Sequence, residues 1–229
     1  MRLRGSIRER TLLLNELKGD QYLIKTAEQG SVKSVLDIGA QAGLFTTLAR
    51  LCHPTARIIA MEPDPVSREL LLANVDMLNV EVIPMALGEG GPMVLAKNRA
   101  TMGVEFETGI GDIVSTTLPP LLTKLALSND GLLVKCDCEC GERFLIFDDG
   151  CVPLLRECLA ISFELHNGYG HTVQEYMDYL RDVCADVKTI LHNGVIMRWD
   201  TVPGYYSKHR VAKVSLVDNN NMDRFVNKF

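Results

Sequence analysis

The stretch from Ser34 to Leu51 constrains this chain most, because an apolar run, a glycine-containing turn and a second apolar pattern follow one another there without a gap. Val35, Leu36 and Ile38 suit a strand buried on both faces of a parallel sheet, and Leu44, Leu48 and Leu51 recur at helical spacing. Between them lies Asp37-Ile-Gly39-Ala-Gln-Ala-Gly43. Gly39 and Gly43 are expected where backbone passes close to a ligand, and the amides opening the next helix would present partial positive charge to it. The segment predicts an α/β fold with a small-cofactor site at this turn.

Two details narrow the cofactor. A dinucleotide fingerprint needs glycines at its first, third and sixth places, and here Gln41 and Leu44 occupy the last two. A dehydrogenase is therefore disfavoured. What remains is an acid, Asp37, two residues before the first glycine, where a carboxylate can meet the ammonium end of an amino-acid-like ligand such as S-adenosylmethionine. The second detail is Ala56 to Pro65, a further apolar run reaching Glu62, an acid placed to accept both ribose hydroxyls at the tip of a second strand. Together Asp37 and Glu62 predict a nucleoside with a cationic tail; the plainer alternative is an ordinary turn with a surface acid at each strand end.

The 229 residues suffice for one α/β domain, and no Pro/Gly/Ser-rich linker divides them. The expected organisation is an N-terminal helical segment over residues 1–30 and a cofactor-binding domain over 31–229. A formal charge of -5 with scattered Lys and Arg disfavours nucleic acid as a partner. The first twenty residues alternate charges with leucines, which predicts an amphipathic helix on a sheet edge rather than a signal peptide or membrane span. An odd count of seven cysteines predicts reduced thiols and a cytoplasmic protein. Cys136, Cys138 and Cys140 alternate, but along a strand they are too spread to close a tetrahedron, so they read as small buried fillers and not as a zinc site.

Elsewhere strands and helices alternate. Asp64 is placed to cap and Pro65 to start a helix through Leu78, with Leu70, Leu71, Val75 and Leu78 inward. A third strand is expected over Val80 to Met85, an irregular stretch over Gly90 to Gly111 that wraps over the site, and a helix from Leu118 ending near Ser128. Leu132 to Cys136 and Leu159 to Leu165 read as the fourth and fifth strands. Thr172 and Glu175 form a capping box ahead of Val173, Tyr176, Met177, Leu180 and Val183. Val187 to Leu191 and Val211 to Val217 read as the last strands, separated by a loop holding Trp199, Tyr205 and Tyr206. The alternation predicts a mostly parallel, seven-stranded, Rossmann-like sheet with helices on both faces.

Chemistry in such sheets gathers at the carboxyl ends of the strands. Lys135, Asp137 and Glu139 alternate in the fourth strand, as do Glu164 and His166 in the fifth. If these strands are neighbours, three carboxylates and an imidazole meet beside the cofactor turn and tune a general base. Asp137 or His166 would be that base, with Glu139 and Glu164 orienting it or holding a cation; Asp137, Glu139 and His166 would suit magnesium or manganese, though no spacing requires a metal. Each also has a structural reading: Glu139 as a helix cap, Glu164 as a partner of Lys135, His166 bonded to a backbone carbonyl. Tyr169 and His171 are placed to contribute to a lid.

Five ordered motifs resemble the FkbM family of S-adenosylmethionine-dependent methyltransferases: Val35 to Gly43, Ala60 to Pro65, Met85 to Gly88, Val134 to Glu139 with Glu142, and Ile161 to His166. The resemblance spans about residues 32 to 168 and implies a class I methyltransferase domain. By similarity, Asp37, Gly39, Ala40, Gln41 and Gly43 would wrap the methionine part, Glu62 would bind ribose, and Ala86 and Leu87 would lie near adenine. Cys140 stands where the family usually has glycine, and Gln41 where asparagine is common. With the acid cluster supplying a base, the expected activity is O-methylation of a hydroxyl on a small molecule or sugar. A catalytically inactive cofactor-binding scaffold and methylation of RNA remain open alternatives.

Overall fold

The computed structural model describes residues 22–25, 27–96, 105–108, 111–166, 168–183 and 211–217. The expected helix over the first twenty residues, the strand Val187 to Leu191 and the loop with Trp199, Tyr205 and Tyr206 lie outside them. The chain runs β1 (Ser34–Ile38), α1 (Leu44–Cys52), β2 (Arg57–Met61), α2 (Pro65–Val75) and β3 (Val80–Ile83). It continues through β4 (Met85–Leu87), β5 (Gly91–Ala96), β6 (Glu105–Thr108), β7 (Ile113–Thr116), α3 (Leu118–Lys124) and β8 (Leu132–Cys136). Two short helices, α4 (Arg143–Ile146) and α5 (Val152–Glu157), precede β9 (Ala160–His166), α6 (Val173–Val183) and β10 (Val211–Val217).

Among the described residues the main sheet has six strands in the order β10-β9-β8-β1-β2-β3, all parallel except β10. The chain leaves β1 toward β3 on one side and returns to β8 on the other, so its topological switch point lies between β1 and β8. Strand alternation divides the core. Leu36, Ile38, Ile59, Met61, Val134 and Phe163 pack under α3 to α6, while Val35, Ile58 and Leu133 meet Phe45 and Ala49 of α1 together with Tyr22 to Ile24. Both faces of a parallel sheet are thus covered, as its apolar strands require.

Several elements differ from the sequence expectation. The third strand stops at Ile83, because Pro84 has no amide to donate to the ladder, and Met85 to Leu87 join a second sheet of order β4-β7-β5-β6. That sheet also takes in much of the stretch expected to be irregular; in β5, Met93 is buried and Val94 exposed, a one-sided alternation too short to register in a single sequence. Helix α3 ends at Lys124, short of Ser128, with Ala126 at φ 50°. In α1 the buried positions are Phe45, Thr46, Thr47 and Ala49, and Leu51 is exposed. The Asp64 cap accepts from the Ser67 amide at 2.9 Å, and the Thr172 to Glu175 capping box closes reciprocally.

Candidate cofactor pocket and acid cluster

A cavity of about 370 Å³ opens at the carboxyl ends of β1, β2 and β8, beside the switch point. Gly39 and Gln41 from the turn after β1 form one wall, with Glu62 from the tip of β2. Met85, Ala86, Leu87 and Met93 of the second sheet supply an apolar side. Asp137, Glu139 and Arg143, following β8, complete the rim with Tyr169. The Pro84 break is what swings β4 into this position.

Glu62 is held rigidly. One carboxylate oxygen accepts the Gln41 amide at 2.7 Å and the other the Asp64 amide at 2.8 Å. Burial pushes its proton affinity up, to a pKa of about 7, against the lowering effect of those two amides. Glu62 itself lines the cavity.

Asp37 is placed differently from the expectation. Register sets it opposite Lys135 on the neighbouring strand, its side chain is 0 % exposed, and it does not line the cavity. Its Oδ2 accepts from Thr46 Oγ1 at 2.5 Å, while Oδ1 faces Lys135 Nζ at 3.2 Å as an ion pair outside hydrogen-bond alignment. Lys135 in turn donates to the Gly39 carbonyl at 2.7 Å and lies 3.6 Å from Asp137 Oδ2. Asp37 thus pairs with Lys135, which holds the turn, and is not among the residues lining the cavity.

The glycines are likewise required by the protein itself. A Cβ on Gly39, at φ 81°, would stand 1.8 Å from the Asp137 carbonyl oxygen, and one on Gly43, at φ 80°, 2.5 Å from Leu71 Cδ1. Of the turn residues expected to contact a cofactor, Gly39 and Gln41 line the cavity; Asp37, Ala40 and Gly43 do not.

The acids of the fourth and fifth strands do converge, since β8 and β9 are parallel neighbours. The strand ends at Cys136, however, so Glu139 sits in a left-handed turn, at φ 53° with Cys140 at 73°, and not on a continuing alternation. His166 Nε2 lies 3.6 Å from Glu139 Oε2 and 3.9 Å from Glu164 Oε1, and its Nδ1 is 3.1 Å from Glu142 Oε1. Burial alone would discharge the ring, but Glu142, Glu139 and Asp137 together raise its proton affinity well above that of an ordinary histidine. The surrounding acids thus favour the protonated form of His166. Glu139 moves up to a pKa of about 7, chiefly through burial, with His166 opposing the shift and the other acids adding to it.

Two further members complete the cluster: Glu142, which stood out in the sequence only through the family resemblance, and Tyr22, which carried no recognisable signal. Glu142 is fully buried; its Oε1 accepts the Cys138 amide at 2.9 Å, and its Oε2 has no hydrogen-bond partner. Tyr22 brings its hydroxyl within 3.1 Å of Asp137 Oδ2 and 3.0 Å of Glu164 Oε2; with a single hydrogen it donates to one at a time. The ligand-bearing group drawn together within 4.8 Å is Asp137, Glu142 and His166, in place of Asp137, Glu139 and His166. Among the described residues Cys136 and Cys138 form no disulfide; they lie 3.8 Å apart with proton affinities raised, Cys136 mainly by burial and Cys138 mainly by its contact with Cys136. Of the expected lid residues, Tyr169 reaches the cavity, while His171 packs on Phe147 at 4.8 Å.

No protein-family model matches the chain, and no curated protein matches it in sequence. Among solved structures it is similar to precorrin-6y C5,15-methyltransferase from Geobacter metallireducens, at 16 % identity over 80 % of this chain and 73 % of that one, with a TM-score of 0.44. The Methanococcus jannaschii fibrillarin pre-rRNA processing protein matches at 12 % identity over 89 % and 76 %, TM-score 0.46. A SAM-dependent methyltransferase from Agrobacterium tumefaciens matches at 10 % identity over 79 % and 51 %, TM-score 0.45. Among the described residues no helix is long and apolar enough to cross a membrane.

Proposed function

We propose that this chain is an S-adenosylmethionine-dependent methyltransferase that methylates a hydroxyl of a small molecule or sugar. The observation that supports it best is one cavity at the switch point with Glu62 on one side, Asp137 and Glu139 on another, and an apolar wall between. The donor set fits the cofactor. Glu62, oriented by two amides, would accept from the ribose hydroxyls, Ala86 and Leu87 would face adenine, and Asp137 replaces Asp37 as the lining acid for the ammonium end. When bound, S-adenosylmethionine supplies a methyl group made electrophilic by a sulfonium.

The protein then has to align a hydroxyl and take its proton. Glu139, pushed up to about 7, has the proton affinity for a base working near neutrality, whereas the acids around His166 favour its protonated form, which has no lone pair to offer. His166 instead fixes the Glu139 carboxylate from 3.6 Å, and Glu142 fixes His166. Glu164, 3.9 Å from His166 and within reach of the Tyr22 hydroxyl, belongs to the same support. None of these roles requires magnesium or manganese.

The test is transfer of labelled methyl from S-adenosylmethionine to a panel of sugars, small alcohols and an RNA oligonucleotide. Label on a sugar or alcohol is expected. Label on RNA alone would replace the acceptor class, and cofactor binding without any transfer would leave a scaffold.

A further inference from the structure

We propose that Arg143 is the acceptor-recognition residue of this cavity and that the acceptor carries an oxyanion, a carboxylate or a phosphate monoester. This inference rests on the methyl-transfer reading and names the substrate class of the same site. The guanidinium carbon lies 4.2 Å from the ring centroid of Phe144 and 4.2 Å from that of Tyr169. Two rings therefore hold one planar cation against the cavity wall. Its only hydrogen bond among the described residues runs from Nη1 to the Cys140 carbonyl at 3.1 Å, and no carboxylate pairs with it there.

That lack of pairing is informative because acids are abundant nearby. The other charged residues described on the lining are Glu62, Asp137 and Glu139, so Arg143 is its one basic side chain among the described residues. Asp137 lies beside Lys135 and Glu139 beside His166, which leaves the arginine without a carboxylate partner among the described residues. Stacking engages the faces of a guanidinium and leaves its edge available, and that edge matches two oxygens of a carboxylate or phosphate. The residue belongs to α4, after β8, and Tyr169 to the turn after β9, whereas Glu62, the proposed ribose acceptor, lies at the tip of β2 on the other side of the switch point. An anion on Arg143 thus sits on the acceptor's side of Glu139.

The experiment titrates inorganic phosphate and, separately, acetate into the full chain saturated with S-adenosylhomocysteine, at constant ionic strength, while the Nε–H resonance of Arg143 is followed by NMR. A saturable shift with at least one anion is expected, and the stronger of the two identifies the oxyanion. Arg143→Lys keeps the charge and loses the fork, so its phosphate or acetate affinity, read by calorimetry, should fall about tenfold or more while S-adenosylhomocysteine binds within about twofold of wild type. Absence of a saturable shift with either anion overturns the proposal, as does an Arg143→Lys variant with undiminished anion affinity. If that variant instead loses S-adenosylhomocysteine affinity, the arginine holds the cofactor's own carboxylate and the proposal also falls. A wild-type chain that fails to bind S-adenosylhomocysteine overturns the methyltransferase reading, a result distinct from any of these.

Discussion

Glu139 and His166 face each other at 3.6 Å, and each sets the proton affinity of the other. A base must be unprotonated to work, so methyl transfer should rise with pH through about 7 and level off above it. Glu139→Gln should lower kcat by roughly 10²- to 10⁴-fold with cofactor affinity retained. His166→Gln removes the positive charge that restrains the Glu139 shift, so the midpoint of the kcat profile should move to higher pH. An unmoved midpoint would detach His166 from the mechanism. The convergence of Glu164, His166 and Asp137 was legible in the sequence, because strand alternation and the neighbouring of β8 and β9 are short-range regularities. Tyr22 was not, and Glu142 stood out only through the resemblance, not as a partner of His166. One reaches the site across 115 residues of chain and the other through a left-handed turn, and neither relation leaves a periodic trace.

At the level of elements, the junction of β1 and β8 carries the site. Gly39 is confined there by the Asp137 carbonyl, and a side chain at φ 81° is itself strained, so Gly39→Ala should cost at least about 1–3 kcal/mol in denaturant unfolding. The cross-strand pair Asp37–Lys135 is nearly water-free, with side chains 0 % and 6 % exposed. Lys135→Met leaves a buried carboxylate without its cation and should cost about 3–5 kcal/mol, part of which Asp37→Asn in the same chain should restore. If the double variant is no more stable than Lys135→Met, the pair is not what holds the junction. The glycines and Asp37 stood out in the sequence, but as ligand-binding residues; their actual neighbours, Asp137, Leu71 and Lys135, follow from register and helix packing. The second sheet escaped notice for a related reason, since β4 is three residues long and its strands join only after a proline break.

For the whole molecule, three of the buried groups whose proton affinity folding raises matter below pH 8: Glu62 and Glu139, both at about 7, and His166. Between the ordinary carboxylate range and pH 7 the folded chain holds more protons than the unfolded one, so stability falls as pH rises, and His166 extends the fall above 6.5. Melting temperature should therefore decline from pH 5 to pH 8. Glu62→Gln with Glu139→Gln should flatten the lower part of that slope, and a wild-type melting temperature that climbs over this range would contradict the burial argument. The α/β class, the mostly parallel order and the helices on both faces were legible, because a doubly covered sheet imposes continuous apolar strands. The most direct test of the central claim is calorimetric titration of S-adenosylhomocysteine into the full chain and into Glu62→Gln. The account predicts one saturable site per chain, weakened about tenfold or more by losing the ribose acceptor; no heat at millimolar ligand, or equal affinity in the variant, would contradict it.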